Sequence, residues 1–76
     1  MKDILEFIVK QIVDNPDSVV IEETDDNGFV TLTITVAKED MGKIIGKEGK
    51  IIRAIRNTMK IPAIKQQKKI QISLAE

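Results

Sequence analysis

The sequence predicts a two-layer α+β fold in the order α-β-β-α-α-β, and three features of the chain point there. An N-terminal apolar stripe recurs at helical spacing. Two Val/Ile/Thr-rich segments flank an Asn-Gly pair. Two short helical segments meet across paired glycines before a last alternating segment.

Residues 3–14 read as a helix, with Ile4, Leu5, Ile8, Val9, Ile12 and Val13 on one broad stripe. Asn15-Pro16 stops it, because the residue before a proline is pushed out of helical geometry. Phe7 falls among the polar residues, where its ring either folds over the edge of the stripe or meets a second molecule. Residues 18–25 read as a strand. Asn27-Gly28 then forms a hairpin turn, since both residues tolerate the positive φ that a type I′ turn demands. Along the returning strand, 29–36, Val30, Leu32, Ile34 and Val36 face one way and Thr31, Thr33 and Thr35 the other, so one face is covered and the other wet.

Residues 38–45 form a short helix, with Glu39 and Asp40 favouring the dipole in its first turn and Gly46 ending it. A further helix runs from about Gly49 to Lys60, with Ile51, Ile52, Ile55 and Met59 on its apolar side and Lys50, Arg53, Asn57 and Lys60 on its polar side. Pro62 marks its expected end. A basic loop, Lys65 to Lys69, leads to a last strand in which Ile70, Ile72 and Leu74 alternate with Gln71 and Ser73. The two-helix connection is long enough for a right-handed crossover into parallel pairing. The expected result is a three-stranded mixed sheet with all helices on one face.

Composition narrows the function. With 76 residues the chain is read as one domain, 1–76, and a domain this small buries roughly 60% of its unfolded surface, which favours a surface groove over an enclosed site. The chain has no Cys and no His, which removes disulfides, Cys/His zinc sites and His-based triads. No cofactor is expected. The carboxylate clusters Glu22-Glu23 and Asp25-Asp26 flank a hairpin, and no nucleophile stands beside a base, so no enzyme is expected. No run approaches the roughly 20 apolar residues of a membrane span. Asp3 and Glu6 interrupt the N-terminus, which lacks a basic leader segment. The expected location is the cytoplasm. Net charge is zero, yet residues 1–37 carry two Lys against eight acids, and residues 38–76 carry ten Lys/Arg against four acids. Either one surface is built to meet an anion, or one solvated face is simply basic.

The segment Met41-Gly-Lys-Ile-Ile-Gly-Lys-Glu-Gly-Lys-Ile-Ile-Arg53 converges several ordinary features on one spot, and that convergence points to an anion. Gly46 and Gly49 permit a tight turn and keep side chains away from a ligand backbone. The helix beginning there offers unpaired N–H groups and the positive end of its dipole. Lys47 projects from the loop, with Lys43 and Lys50 within about one helical turn. A P-loop is excluded because Gly49-Lys50 is followed by Ile51 rather than a hydroxyl residue, and the spacing of Gly42, Gly46 and Gly49 does not match a dinucleotide fingerprint.

Ile44-Ile45-Gly46-Lys47-Glu48-Gly49-Lys50-Ile51-Ile52 resembles the I-G-x-x-G-x-x-I signature of KH domains. The element order resembles the type II, prokaryotic variant over the whole chain. Length and the Met41-Gly42-Lys43 lead-in resemble the small stand-alone bacterial KH-domain proteins of the KhpA family. The resemblance implies a clamp on about four backbone nucleotides of single-stranded nucleic acid, with bases in an apolar groove between the paired helices and the sheet edge. Gly46, Lys47, Glu48 and Gly49 match the phosphate clamp. Ile44, Ile45 and Ile52 match either groove or underlying core. Lys43, Lys50 and Arg53 match an electrostatic rim, or else plain solvated charge. It further implies a homodimer, or a heterodimer with a second KH-containing RNA-binding protein (KhpB). It also implies an RNA-chaperone role in post-transcriptional regulation, tied in some bacteria to cell shape.

Glu48 departs from the pattern by putting an acid inside the clamp, where many relatives carry a basic or neutral residue. There is no Trp or Tyr, and both Phe residues lie in the acidic half. Base stacking on aromatic rings is therefore missing near the loop, and single-domain binding is expected to be micromolar or weaker with modest sequence preference. Two other readings stand beside this one. A KH fold can serve as a protein-interaction module without RNA, to which Glu48 and Phe7 lend support. Alternatively, residues 49–60 could be the recognition helix of a helix-turn-helix DNA binder, although the preceding helix is very short and a three-helix core is missing.

Overall fold

The computed structural model of the protein describes residues 1–75. Helix α1, Lys2–Ile12, buries Leu5 and Val9, and Val13 just beyond it is also buried. The chain turns through a single 3-10 turn at Pro16–Ser18, so strand β1 begins at Val20 rather than at the expected residue 18 and runs to Asp26. Asn27 (φ 53°) and Gly28 (φ 87°) take the positive φ values that the hairpin reading requires, and the Gly28 N–H donates to Asp25 Oδ1 at 3.0 Å. Strand β2, Phe29–Thr35, returns antiparallel to β1, pairing Ile21 with Ile34 and Asp26 with Phe29.

A 3-10 turn, Lys38–Asp40, leads into helix α2, Met41–Ile45. After the glycine loop, helix α3 covers Lys50–Lys65, and strand β3, Lys69–Leu74, lies parallel to β2 with Val30 opposite Ile70 and Leu32 opposite Ile72. The sheet order is β1-β2-β3, so β3 is an edge. The mixed three-stranded sheet with helices on one face is the architecture that the sequence predicts.

The core lies between the layers. Val30, Leu32 and Ile34 from β2, Ile21 from β1 and Ile72 from β3 meet Leu5, Val9, Ile44, Ile52, Ile55 and Met59 from the helices. Full burial of each such side chain contributes about 1.5–3 kcal/mol. Thr31, Thr33 and Thr35, on the opposite face of β2, remain only partly covered.

Two expectations are corrected. Pro62 does not end α3, which continues to Lys65. Pro62 has no N–H to give the Thr58 carbonyl, but the extra turn carries Ala63 into the core at 2% exposure and is closed by Gln66 N–H to Pro62 O (3.1 Å) and Lys68 N–H to Ala63 O (2.9 Å). Packing of that turn outweighs the one lost bond. Phe7 does not fold over the stripe of α1; its side chain stands 66% exposed, and Ile4 one turn earlier is exposed too.

Asp40 fixes α2 against α1. Its carboxylate is fully buried and accepts the N–H groups of Asp14 (3.1 Å) and Asn15 (3.0 Å) and the Asn15 side-chain amide (3.1 Å). Burial pulls its pKa upward, but those hydrogen bonds and the nearby Lys43 charge outweigh burial, and the net shift is below the ordinary carboxylate value.

Candidate nucleic-acid interface

Helix α2 ends where Gly46 takes φ 75° and ψ 173°, a conformation open essentially to glycine alone. Its N–H donates to Gly42 O at 2.8 Å, and its own carbonyl accepts the Gly49 N–H at 3.2 Å. Glu48 (φ 58°, ψ 24°) and Gly49 (φ 73°, ψ 18°) then both adopt left-handed geometry. The Arg53 guanidinium, one turn into α3, donates to the Glu48 carbonyl at 2.8 Å and fastens the turn. The loop is thus a fixed shape, with Lys47, Glu48 and Lys50 exposed around it.

The expected site residues divide. Gly46, Lys47, Glu48 and Gly49 form one turn at the N-terminus of α3, with Lys47 and Glu48 exposed and both glycines half-buried. Among the described residues, no carboxylate pairs with Lys47 or Lys50. Lys43 is different: its ammonium pairs with Asp14, which raises its pKa against a smaller opposing effect of burial. Ile44 and Ile52 are core, whereas Ile45 is 37% exposed beside the loop. Arg53 spends one donor on the Glu48 carbonyl, so it shapes the glycine turn as well as bringing a charge beside it.

From Arg53 a groove of about 400 Å³ continues along α3 and the free edge of β3, lined by Arg53, Arg56, Asn57, Lys60, Ile70, Gln71 and Ile72. Among the described residues, three cations and no carboxylate line it. Backbone N–H and C=O groups of a strand alternate in direction from residue to residue. Lys69 N–H and Ala75 N–H donate toward β2, to Gly28 O and Ile34 O, so the polar groups of Ile70, Ile72 and Leu74 point outward. The Arg56 guanidinium spans the groove and donates to Ile72 O at 3.3 Å.

A family model described as "KhpA/KhpB, KH domain" matches residues 2–74. The chain belongs to this KH-domain family. An RNA-binding protein KhpA of Clostridium acetobutylicum is 43% identical over 74 residues, covering 97% of this chain and 99% of the relative. The Listeria monocytogenes RNA-binding protein KhpA is 44% identical over 76 residues, covering both chains fully. Both relatives are named for binding and not for catalysis. Among solved structures, Aquifex aeolicus Era bound to GDP and aluminium fluoride superposes with a TM-score of 0.65 at 15% identity, covering 96% of this chain and 28% of Era. A structure of Era with MgGDPNP and a 16S ribosomal RNA segment gives 0.57 at 16% identity over the same shares. At that identity the likeness is one of fold, the type II KH arrangement.

Arg56, Ile70, Gln71 and Ile72 are groove residues that sequence reasoning did not single out. One signal was present: Arg53, Arg56, Asn57 and Lys60 recur at helical spacing as one polar stripe of α3. Their facing wall depends on which strand forms the sheet edge. Among the described residues there is no cluster of metal-ligating side chains, and no helix long and apolar enough to cross a membrane.

Proposed function

We propose that this chain binds single-stranded RNA, clamping phosphates at Gly46–Gly49 and leading the strand along the α3/β3 groove. The observation that carries this reading is continuity. The glycine turn, whose Lys47 and neighbouring Lys50 are exposed and pair with no carboxylate among the described residues, opens directly into a groove lined by Arg53, Arg56 and Lys60 beside an outward-facing strand edge. Phosphates would meet backbone N–H groups and lysines, and bases would rest on Ile70. The relatives' names as RNA-binding proteins support the same ligand. A chain with one such site and no stacking aromatic binds weakly, so the protein works as a single KH unit paired with a second copy or a KH-containing partner. Its exposed apolar patch, where Ile4 of α1 and Ile61 of α3 line one hollow, supports that pairing. Its expected setting is cytoplasmic, as an RNA chaperone in post-transcriptional regulation.

The same patch supports a second reading, a KH-fold interaction module that does not itself touch RNA. Titration of fluorescent single-stranded RNA with the wild type and a Lys47→Asp, Glu48→Asp double variant separates the two, with circular dichroism confirming both folds. Binding by the wild type alone is expected. No binding by either would favour the interaction module, and equal binding would place the RNA contact away from the glycine loop.

A further inference from the structure

RNA binding uses the basic half of the chain and leaves the acidic half without a role. Strand β1, Val20–Asp26, carries four exposed carboxylates and no cation. It is also the second free edge of the sheet. Its register with β2 is unbroken from Val20 to Asp26, with no bulge to twist the edge away. The two-residue Asn27-Gly28 turn makes Asp26 and Phe29 a hydrogen-bonded pair, and the pattern alternates from there. The N–H and C=O groups of Ile21, Glu23 and Asp25 therefore point outward, as those of Ile70, Ile72 and Leu74 do on β3. By strand alternation the Glu23 and Asp25 side chains share the helix side of the sheet with Ile21. Asp25 already pairs with Lys68 in its own molecule, whereas Glu23 accepts only the Lys2 N–H.

The two edges of one molecule are thus complementary: an acidic strand on one side, and on the other a strand beside a groove lined by Arg53, Arg56 and Lys60. Strand β2 runs antiparallel to β1 and parallel to β3. A second copy continuing the sheet therefore sets its β1 antiparallel to the β3 edge, the more stable of the two pairings. Its Glu23 and Asp25 carboxylates then fall on the side of the groove cations, and the Arg56 guanidinium can exchange the Ile72 carbonyl for an ionised acceptor. Net charge is zero with opposite signs on the two halves of the chain, which favours association over repulsion. We propose that the groove has a second occupant, the acidic β1 edge of another copy of this chain, which RNA displaces. The displacement rests on the RNA-binding reading above; the contact itself does not. It is separate from the apolar hollow lined by Ile4 and Ile61. The contact is head to tail, so it does not close on a pair, and assembly grows with concentration. If the β1 carboxylates serve only to keep the edge from pairing, no such growth occurs.

The test is sedimentation velocity of the full chain over a concentration series, at about 0.01 M and about 0.3 M salt, where charge pairs are felt at long range and then screened. Each series is run with and without a short oligouridine, whose binding is measured separately by fluorescence anisotropy. At low salt the weight-average mass is expected to rise by about twofold or more across the series. High salt or the oligouridine should each reverse that rise. Two variants leave the groove untouched. Glu22→Gln combined with Glu23→Gln removes two β1 charges and keeps an acceptor for the Lys2 N–H. Glu23→Pro removes one outward N–H at an edge position that admits proline, with circular dichroism confirming its fold. Both are expected to abolish the rise and to bind oligouridine at least as tightly as the wild type. No rise at low salt, a rise that salt does not reverse, or a rise that survives in both variants overturns the contact. Oligouridine that binds without reversing the rise overturns the shared groove. Absence of oligouridine binding overturns the RNA-binding reading instead, while the salt and variant results still decide the contact.

Discussion

Gly46 lies so close to Ile51 that a β-carbon on the glycine would sit 2.2 Å from Ile51 Cγ1 and 2.9 Å from its backbone nitrogen. The first glycine of the loop is therefore held by contact as well as by backbone angle. The second is not: a β-carbon on Gly49 would meet nothing nearer than Arg53 Nη2 at 3.8 Å. Gly46→Ala is expected to cost about 2 kcal/mol or more, from overpacking and backbone strain together. Gly49→Ala, which meets only left-handed strain, is expected to cost about 1 kcal/mol. Urea denaturation of the two variants measures this. Equal losses would remove the Ile51 contact from the explanation.

Arg53 predicts a separation of binding from stability. Its bond to the Glu48 carbonyl is exposed, so the fold gains little from it, while the glycine turn owes its shape to it. Arg53→Ala is expected to weaken RNA binding by about fivefold to tenfold with little change in the denaturation midpoint. Arg53→Lys should recover only part of the loss, because an ammonium restores charge without the planar reach. A full recovery by lysine would reduce Arg53 to a rim charge.

The residues that sequence reading placed well are those whose role is local. The Val/Thr alternation of β2 gave its buried face directly, and Asn27-Gly28 its turn, because both depend on neighbouring residues. Pro62 was misread because helix propensity is local, while the turn that overrides it is secured by Ala63 packing into a distant core. Lys43 looked like a free rim charge because its partner, Asp14, is 29 residues away. The far wall of the groove was illegible for the same reason: strand order is a property of the closed sheet, not of the β3 segment.

Asp40 gives a pH dependence with a definite sign. A carboxylate whose folded pKa is held below its unfolded value stabilises the fold fully above that unfolded value, about pH 4, and the contribution is lost as pH falls through the folded value. The thermal midpoint is therefore expected to drop on acidification below about pH 4. Asp40→Asn should lower the midpoint at neutral pH, since an amide presents donors toward the N–H groups of Asp14 and Asn15. It should also flatten the acid limb. Some slope must persist, because Lys10 lowers the pKa of Glu6, and Lys68 together with the Gly28 N–H lowers that of Asp25. Parallel curves for wild type and variant would show that Asp40 does not carry the acid sensitivity.

The three lysines around the clamp are not equivalent, and salt dependence distinguishes them. With three or four phosphates neutralised, log affinity should fall with log salt at a slope of roughly −2 to −3. Lys47→Gln and Lys50→Gln should each lessen that slope by about 0.7, the value for one single-strand phosphate contact. Lys43→Gln should lessen it by less, since the Lys43 ammonium already has Asp14 for a partner. Asp14→Asn supplies the converse: releasing Lys43 should steepen the slope and tighten binding at low salt. A Lys43→Gln variant as impaired as Lys47→Gln would mean that the Asp14 pair, exposed and therefore weak, breaks when RNA arrives and that Lys43 joins the clamp.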